Sequence, residues 1–266
     1  MFAAGIFDIQ HVLMILGVCN QMSIEEQNVT TKLMVKGFSD TVKEANSLVV
    51  GGQTVINKWP MIGGTAIGFQ DMKHGGLYSP NGARPGEVLV MTKPLGNQMI
   101  VNFNQYYKLN NDRWKQLVAT GKIDAASVED LYEKGLIYMS RLNRNGGILM
   151  LKHGATSSTD VTGFGIMGHA QNLVDIQKYK NQDWVFERLP CFKGLKDLDK
   201  IVRDFGLVEG KAAETSGGLL MSLPADSVAG FQKDMADLNE DAWVVGKVVE
   251  GTGQAIIHGC ELFDSH

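Results

Sequence analysis

The sequence predicts an α+β protein built from two domains. Its 266 residues exceed the ~100–200 residues of a usual single domain. The predicted helices and strands follow one another in mixed order, without the strict alternation of parallel βαβ units. Residues 70–86 lose apolar periodicity and collect glycine and proline, which is typical of a linker. We therefore expect one domain over residues 1–85 and a second over residues 86–266.

The first domain is expected to open with two helices. Its apolar residues predict a helix over residues 8–17. Ser23 and Glu26 have the spacing of a capping box, and the apolar residues that follow recur at helical intervals, so a long amphipathic helix should run to about Asn46. Short apolar runs predict the strands of this domain, which are 48–50, 55–57 and 61–69.

The second domain is expected to mix helices and strands. The helices predicted from apolar periodicity cover residues 96–108, 127–151 (as one or two helices), 163–176, 195–205 and 225–238. The predicted strands cover residues 88–92, 184–189, 218–223, 243–249 and 254–258. Residues 154–162 are polar and are expected to form a loop.

Charge and cysteine content exclude several classes of protein. A net charge of -4 without any block of like charge argues against a nucleic-acid partner or a polybasic membrane anchor. The 3 cysteines are far apart and outside any CxxC spacing, so a disulfide framework or zinc site is not expected. The first apolar stretch, residues 12–18, is too short for a signal peptide or a membrane span. We expect a cytoplasmic protein without a membrane partner.

Glycine is abundant, with 31 residues against 6 prolines, so glycine-rich turns are the places to look for function. Residues 163–168 satisfy G-x-G-x-x-G, but a polar loop precedes them where a dinucleotide-binding fold needs a strand. A glycine-rich turn at a helix start still suits an anion or its metal. Asp160, just before it, has two possible roles, as a cap of that helix or as a Mg²⁺ ligand.

Two other segments combine glycines with hydroxyl groups beside a strand. Glu214 to Gly218 reads E-T-S-G-G, and Gly51 to Thr54 reads G-G-Q-T. Both allow a ligand to approach the backbone closely, and both are also compatible with plain turns. The basic segment from Arg141 to Arg144 is either a solvated helix face or a phosphate clamp. His169 is expected to be a satisfied polar position.

Taken together, collinear segments along nearly the whole chain resemble the selenophosphate synthetases, also called selenide, water dikinases, of the eukaryotic type. The most specific of them contains Asp160. The segments are V-G-G-Q-T-V at 50–55, V-L-V-M-T-K-P-L-G at 88–96, R-L-N-R at 141–144, T-D-V-T-G-F-G-I-M-G-H-A-Q-N-L at 159–173 and E-T-S-G-G-L-L at 214–220.

The resemblance implies a fold similar to aminoimidazole ribonucleotide synthetase. The N-terminal α/β domain would pair its strands across a homodimer, the C-terminal domain would be α+β, and ATP would lie between them. The implied reaction converts ATP and selenide into selenophosphate, AMP and phosphate with Mg²⁺, for selenocysteine synthesis. By position, Gly51, Gly52, Gln53 and Thr54 match the nucleotide-contacting segment. Asp160 matches a metal-binding carboxylate, which favours ligation over capping.

The sequence also departs from the family pattern. Family members carry an upstream glycine-rich segment with a Cys or selenocysteine, a Lys and several metal-binding Asp residues, and no such segment stands in this sequence. We therefore expect a partial N-terminal domain, an N-terminally truncated chain of little or no activity, and we assign no catalytic residue. Two alternatives stay open: a non-catalytic dimerisation or regulatory module, and another ATP-using enzyme of the same superfamily.

Overall fold

The computed structural model describes residues 1–69 and 78–265, apart from the side chains of residues 259 and 260. The chain forms two compact units, Met1–Leu77 and Tyr78–His266. The boundary expected near residue 85 falls within the second unit, and residues 70–77 of the expected linker lie outside the described residues. Across the described ranges, no helix is long and apolar enough to cross a membrane.

The first unit is a three-stranded sheet with one long helix. The central strand β1 is parallel to β2 and antiparallel to β3, which gives the order β2-β1-β3. A single 3-10 turn, Phe2–Ala4, precedes the sheet. The elements are β1 Asp8–Cys19, α1 Ile24–Glu44, β2 Val49–Asn57 and β3 Met61–Phe69.

Helix α1 begins as the sequence predicts. The Ser23 hydroxyl accepts a hydrogen bond of 3.2 Å from the backbone amide of Glu26. The Glu26 carboxylate in turn accepts one of 2.8 Å from the amide of Ser23. This reciprocal capping box is confirmed, and it satisfies two amides that have no partner within the helix. The helix buries Val42 and leaves most of its surface exposed.

The predicted helix over residues 8–17 is wrong, because these residues form the central strand β1. A bulge between Ile9 and His11 interrupts the alternation of the strand. The buried positions Ile9, Val12 and Leu16 are therefore three and four residues apart, which is the spacing of a helical face. Neighbouring strands on both sides of β1 supply the hydrogen bonds that decide the conformation.

Strand β2 is continuous, whereas the sequence predicts two short strands with a loop at residues 51–54. Gly52 has a φ of +145°, a conformation that L side chains rarely adopt. A Cβ atom at this position would lie 1.8 Å from the carbonyl oxygen of Met14 on β1. Gly52 therefore serves the close approach of two strands, and the segment is not a turn.

The second unit is built on a six-stranded mixed sheet of order β5-β7-β4-β8-β6-β9. All neighbouring strands are antiparallel except β6 and β9. The strands are β4 Val88–Met91, β5 Ser157–Asp160, β6 Gln182–Cys191, β7 Leu219–Leu223, β8 Trp243–Glu250 and β9 Ala255–Asp264. The helices are α2 Asn97–Lys108, α3 Asp112–Ala119, α4 Ala125–Ser140, α5 Arg144–Lys152, α6 Gly165–Ile176 and α7 Val228–Asp237, with 3-10 turns at Leu195–Asp197 and Ala225–Ser227.

Most of the predicted helices and strands of this unit are present, and one predicted helix is wrong. The helix expected over residues 195–205 is only the 3-10 turn Leu195–Asp197. The buried carboxylate of Asp199 accepts hydrogen bonds from the amides of Phe205 and Val208, which folds the following segment into a loop. Lys200 has a positive φ of 70°, which a helix does not allow.

Two elements of the second unit, α3 and β5, have no counterpart in the sequence prediction. Strand β5 reads S-S-T-D and lacks the apolar residues that mark a buried strand. Ser157 and Ser158 are nonetheless almost fully buried. The hydroxyl of Ser157 donates to the carbonyl of Pro80, which satisfies a polar group inside the unit. The loop expected over residues 154–162 is therefore wrong at residues 157–160.

Candidate functional site

Several of the segments singled out by sequence meet at one end of the six-stranded sheet. Strand β7 runs antiparallel to both β4 and β5. Its first residues therefore lie beside the last residues of those strands, with Leu219 opposite Asp160 and Leu220 opposite Met91. The segments 88–96, 159–173 and 214–220 thus share this end of the sheet, which we call the sheet end.

Lys93 ties the basic segment to the sheet end. Its side chain is buried, with 1% of the residue exposed. The ammonium group donates hydrogen bonds of 2.7 Å to the carbonyl of Arg141 and 2.9 Å to the carbonyl of Ser216. Burial, aided by the positive charge of Arg141, lowers the pKa of Lys93 to about 8. Sequence reasoning missed this lysine, although it directly follows a buried strand within a quoted segment.

Glu214 fixes the other side of the loop that precedes β7. Its carboxylate is buried and accepts hydrogen bonds of 2.7 Å from the amide of Gly96 and 3.0 Å from the amide of Asn97, at the start of α2. Burial raises the pKa of Glu214 to about 8, although the two amides act in the opposite direction. This side chain joins residues 214–218 to the β4–α2 connection.

The two glycines of this loop allow close backbone contacts. A Cβ atom on Gly217 would lie 2.1 Å from the carbonyl oxygen of Val161, and one on Gly218 would lie 2.4 Å from the amide nitrogen of Lys93. The Asn143 side chain donates a 2.8 Å hydrogen bond to the carbonyl of Gly217. Residues 214–218 are therefore held from three sides, while Thr215 and Ser216 remain exposed.

Asp160 is the last residue of β5, and its side chain is exposed. It does not cap α6, because that helix has Phe164 at its N-cap position and no capping side chain. Within residues 1–69 and 78–265, its carboxylate makes no hydrogen bond or ion pair. An exposed carboxylate without a partner suits Mg²⁺, which is bound in proteins by one or two carboxylates together with substrate phosphates.

His169 shapes the turn that follows Asp160. Its Nε2 atom accepts a 3.0 Å hydrogen bond from the backbone amide of Thr162, which requires the neutral ring with the proton on Nδ1. Burial lowers the pKa of His169, while the charge of Asp160 acts in the opposite direction. The expectation that His169 is a satisfied polar position is confirmed.

The segment predicted to contact the nucleotide, residues 51–54, is not part of the sheet end. Gly51, Gly52, Gln53 and Thr54 are exposed residues in the middle of β2, and they belong to the first unit, whereas Asp160 belongs to the second. The strand pairing places Gln53 opposite Ile15 and Thr54 opposite Leu16, so these two side chains leave the sheet on opposite faces. Neither unit by itself contains both predicted sites.

Comparisons with known proteins agree with this architecture. Residues 84–259 match the family model of the AIR synthase related protein, C-terminal domain. A selenide, water dikinase from Trypanosoma brucei brucei is 41% identical over 258 residues, which cover 96% of this chain and 65% of the relative. One from Dictyostelium discoideum is 38% identical over 252 residues, covering 94% and 68%. The chain belongs to the selenide, water dikinase family. Selenide, water dikinase 2 of Homo sapiens is 39% identical, and the chain covers 57% of its length.

Solved structures show the same fold at low sequence identity. The thiamine monophosphate kinase of Aquifex aeolicus matches 98% of this chain and 76% of its own, with a TM-score of 0.69 and 16% identity. A hydrogenase maturation protein HypE matches 96% and 74%, with a TM-score of 0.67 and 12% identity. The α+β, aminoimidazole ribonucleotide synthetase-like fold is thereby confirmed. The chain spans between about half and two thirds of the length of its curated relatives.

Proposed function

We propose that this selenide, water dikinase family chain serves the formation of selenophosphate from selenide and ATP, with release of AMP and phosphate, for selenocysteine synthesis. The observation that carries the proposal is the sheet end, where Asp160 lies beside the ordered loop 214–218. The backbone of this loop is held by hydrogen bonds from Lys93 and Asn143, and a backbone held in this way supplies the preorganisation that phosphoryl transfer requires. We propose a cytoplasmic location, because the 3 widely spaced cysteines do not suggest a disulfide framework.

ATP is supported as the substrate by the structural neighbours. One structure of the Aquifex thiamine monophosphate kinase is complexed with AMPPCP and TMP, and one HypE structure is in complex with ATP. We propose that Gly51, Gly52, Gln53 and Thr54 contact the nucleotide. Both glycines leave backbone amides uncovered by side chains, which would allow a phosphate or a sugar to approach them.

We propose that Asp160 holds Mg²⁺ together with the phosphates of ATP. The metal would neutralise charge on these phosphates. The protein's own part is to hold the carboxylate at the end of β5, where pairing with Leu219 fixes the backbone and His169 fixes the next turn. A single carboxylate organises one metal ion rather than several, so we expect weak turnover by the 266-residue chain.

A homodimer is proposed from the first unit. Within residues 1–69, one face of its sheet carries no helix, and several large apolar side chains on that face are 39–47% exposed. An apolar sheet face of this kind is typical of a protein interface. The side chains that share this face by strand pairing are Leu13, Ile15, Val55, Met61 and Ile67.

Calorimetric titration of the full chain with a non-hydrolysable ATP analogue, at a series of Mg²⁺ concentrations, tests the metal assignment. In Asp160→Asn we expect the Mg²⁺ concentration needed for half-maximal binding to rise about tenfold, because a charged ligand becomes neutral. Asp226→Asn, an exposed carboxyl in the Ala225–Ser227 turn, is the matched control and should behave like the unmodified chain. An unchanged Mg²⁺ requirement in Asp160→Asn would contradict the assignment.

A further inference from the structure

Arg144 is the first residue of α5 and is only partly exposed. Its Nε atom is fully buried and has no hydrogen-bond partner. No hydrogen bond, ion pair or aromatic contact of its guanidinium group occurs within the described ranges 1–69 and 78–265. Guanidinium groups that are partly buried normally meet a carboxylate, a carbonyl or a phosphate. Among the residues that the structure describes, none compensates the charge of Arg144.

Arg141 lies three residues before Arg144 in sequence, and its guanidinium group also has a hydrogen-bond donor without an acceptor. Its Nε atom is buried without an acceptor. Its nearest carboxylate, on Asp241, lies 3.8 Å from Nη2, and the same nitrogen is 3.5 Å from the carbonyl of Thr92. The contact with Asp241 is an ion pair without a normal hydrogen-bond distance. The guanidinium also lies over the ring of Tyr138, 4.6 Å from its centroid. The Nε atom is therefore the donor of Arg141 that lacks an acceptor among the described residues.

The backbone between the two arginines is fixed to the sheet end. The carbonyl of Arg141 binds the ammonium of Lys93, and the side chain of Asn143 binds the carbonyl of Gly217. The ammonium group of Lys93 has three N–H groups. It uses two of them in its hydrogen bonds to the carbonyls of Arg141 and Ser216. Lys93 lies beside Gly218, on the β4 side of β7, whereas Asp160 lies on the β5 side. Asn143, which directly precedes Arg144, holds the basic segment at Gly217.

We propose that Arg144, assisted by Arg141, binds a tetrahedral oxyanion of the phosphate class. This inference rests on the proposed function and deepens it, because orthophosphate and selenophosphate are both products of that reaction. A planar guanidinium donates two parallel hydrogen bonds to such an anion. A metal held by Asp160 and an anion held by Arg144, whose neighbour Asn143 is bonded to Gly217, would suit a phosphate leaving ATP.

The test measures anion binding in the absence of nucleotide and Mg²⁺, so that it does not depend on ATP binding. The full chain is titrated calorimetrically with orthophosphate, with thiophosphate as a stable analogue of selenophosphate, and with AMP. We expect both inorganic anions to bind saturably, and Arg144→Gln to weaken them about tenfold to a hundredfold, as expected for the loss of a charge-assisted pair. Arg144→Lys should retain part of the affinity, because it keeps the charge and loses the fork.

Arg203→Gln is the matched control, because that arginine lies over the ring of Phe205 and away from the basic segment. It should bind the anions like the unmodified chain. A larger effect on thiophosphate than on orthophosphate in Arg144→Gln would assign the site to selenophosphate, and the reverse to orthophosphate. The proposal is overturned if neither inorganic anion binds saturably, if Arg144→Gln binds them with unchanged affinity, or if AMP alone responds. Failure of ATP to bind in the separate Mg²⁺ titration would overturn the proposed function. The anion titration could still be interpreted, because it contains no nucleoside triphosphate and no Mg²⁺.

Discussion

The ammonium group of Lys93 lies 2.9 Å from the carbonyl oxygen of Ser216, although 123 residues separate them in sequence. The same nitrogen binds the carbonyl of Arg141 at 2.7 Å. One buried side chain just after β4 thereby joins the basic segment 141–144 to the loop 214–218 of the sheet end. Because the Lys93 side chain is buried, these two hydrogen bonds matter more than those of an exposed lysine.

Replacement of Lys93 by methionine is expected to destabilise the second unit by about 2–4 kcal/mol, because two carbonyl groups lose their charged hydrogen-bond donor. The removal of a buried charge offsets part of this cost. Urea-induced unfolding followed by circular dichroism measures the change. Lys193→Met, at an exposed position, is the control, and a Lys93→Met variant as stable as this control would contradict the structural role.

Glu214 and Lys93 predict an unusual dependence of stability on pH. The pKa of Glu214 rises from 4.5 to about 8 on folding, so the folded state binds this proton more tightly and stability falls as pH rises from about 4.5 to 8. The pKa of Lys93 falls from 10.5 to about 8, so the unfolded state binds that proton more tightly and stability recovers between about 8 and 10.5. These two groups together place a minimum of stability near pH 8.

Urea unfolding at a series of pH values measures this profile. Glu214→Gln has no proton to lose, so the decline between pH 4.5 and 8 should become shallower in that variant. Glu133→Gln, on the exposed surface of α4, should keep the decline. Equal slopes in the two variants would show that Glu214 is ionised in the folded state at neutral pH.

The sequence carried enough information for the fold class and for most elements of the second unit. Local signals were sufficient where one turn decides the structure, as in the capping box of Ser23 and Glu26. They failed for β1, where a bulge gives buried strand residues the spacing of a helix. They also failed for β5, whose serines are buried by hydrogen bonds to distant residues rather than by apolar character.

Sequence reasoning identified the segments that form the candidate site, but it could not predict the contacts between them. Asp160 could be singled out from the sequence. Whether it caps α6 depends on where that helix begins, which only the structure shows. The pairing of Glu214 with the amides of Gly96 and Asn97 joins positions more than a hundred residues apart. No local pattern predicts such a contact, because the sheet topology brings its partners together.

Gly52 provides a test of the continuous β2 strand. Gly52→Ala should destabilise the first unit by about 3 kcal/mol or more, because the added Cβ meets the Met14 carbonyl and the backbone conformation disfavours any side chain. Gly63→Ala, on the neighbouring strand β3, is the matched control, since a Cβ there meets nothing within 4 Å. Thermal unfolding of both variants gives the comparison. Similar melting temperatures would contradict the described contact of β2 with β1.

The exposed sheet face of the first unit predicts how the proposed homodimer can be disrupted. Ile15 is 47% exposed near the centre of this face, and its strand neighbours Gln53 and Gly63 leave its side chain uncovered. Ile15→Lys should convert a dimer into a monomer, because a buried interface cannot accommodate an unpaired ammonium group without a large desolvation cost. Sedimentation velocity at several protein concentrations measures the change. Ile24→Lys, at a residue of α1 that is 78% exposed, should leave the dimer intact. Dimers that persist in Ile15→Lys would place the interface elsewhere, since a lysine at the centre of an apolar contact is incompatible with its formation.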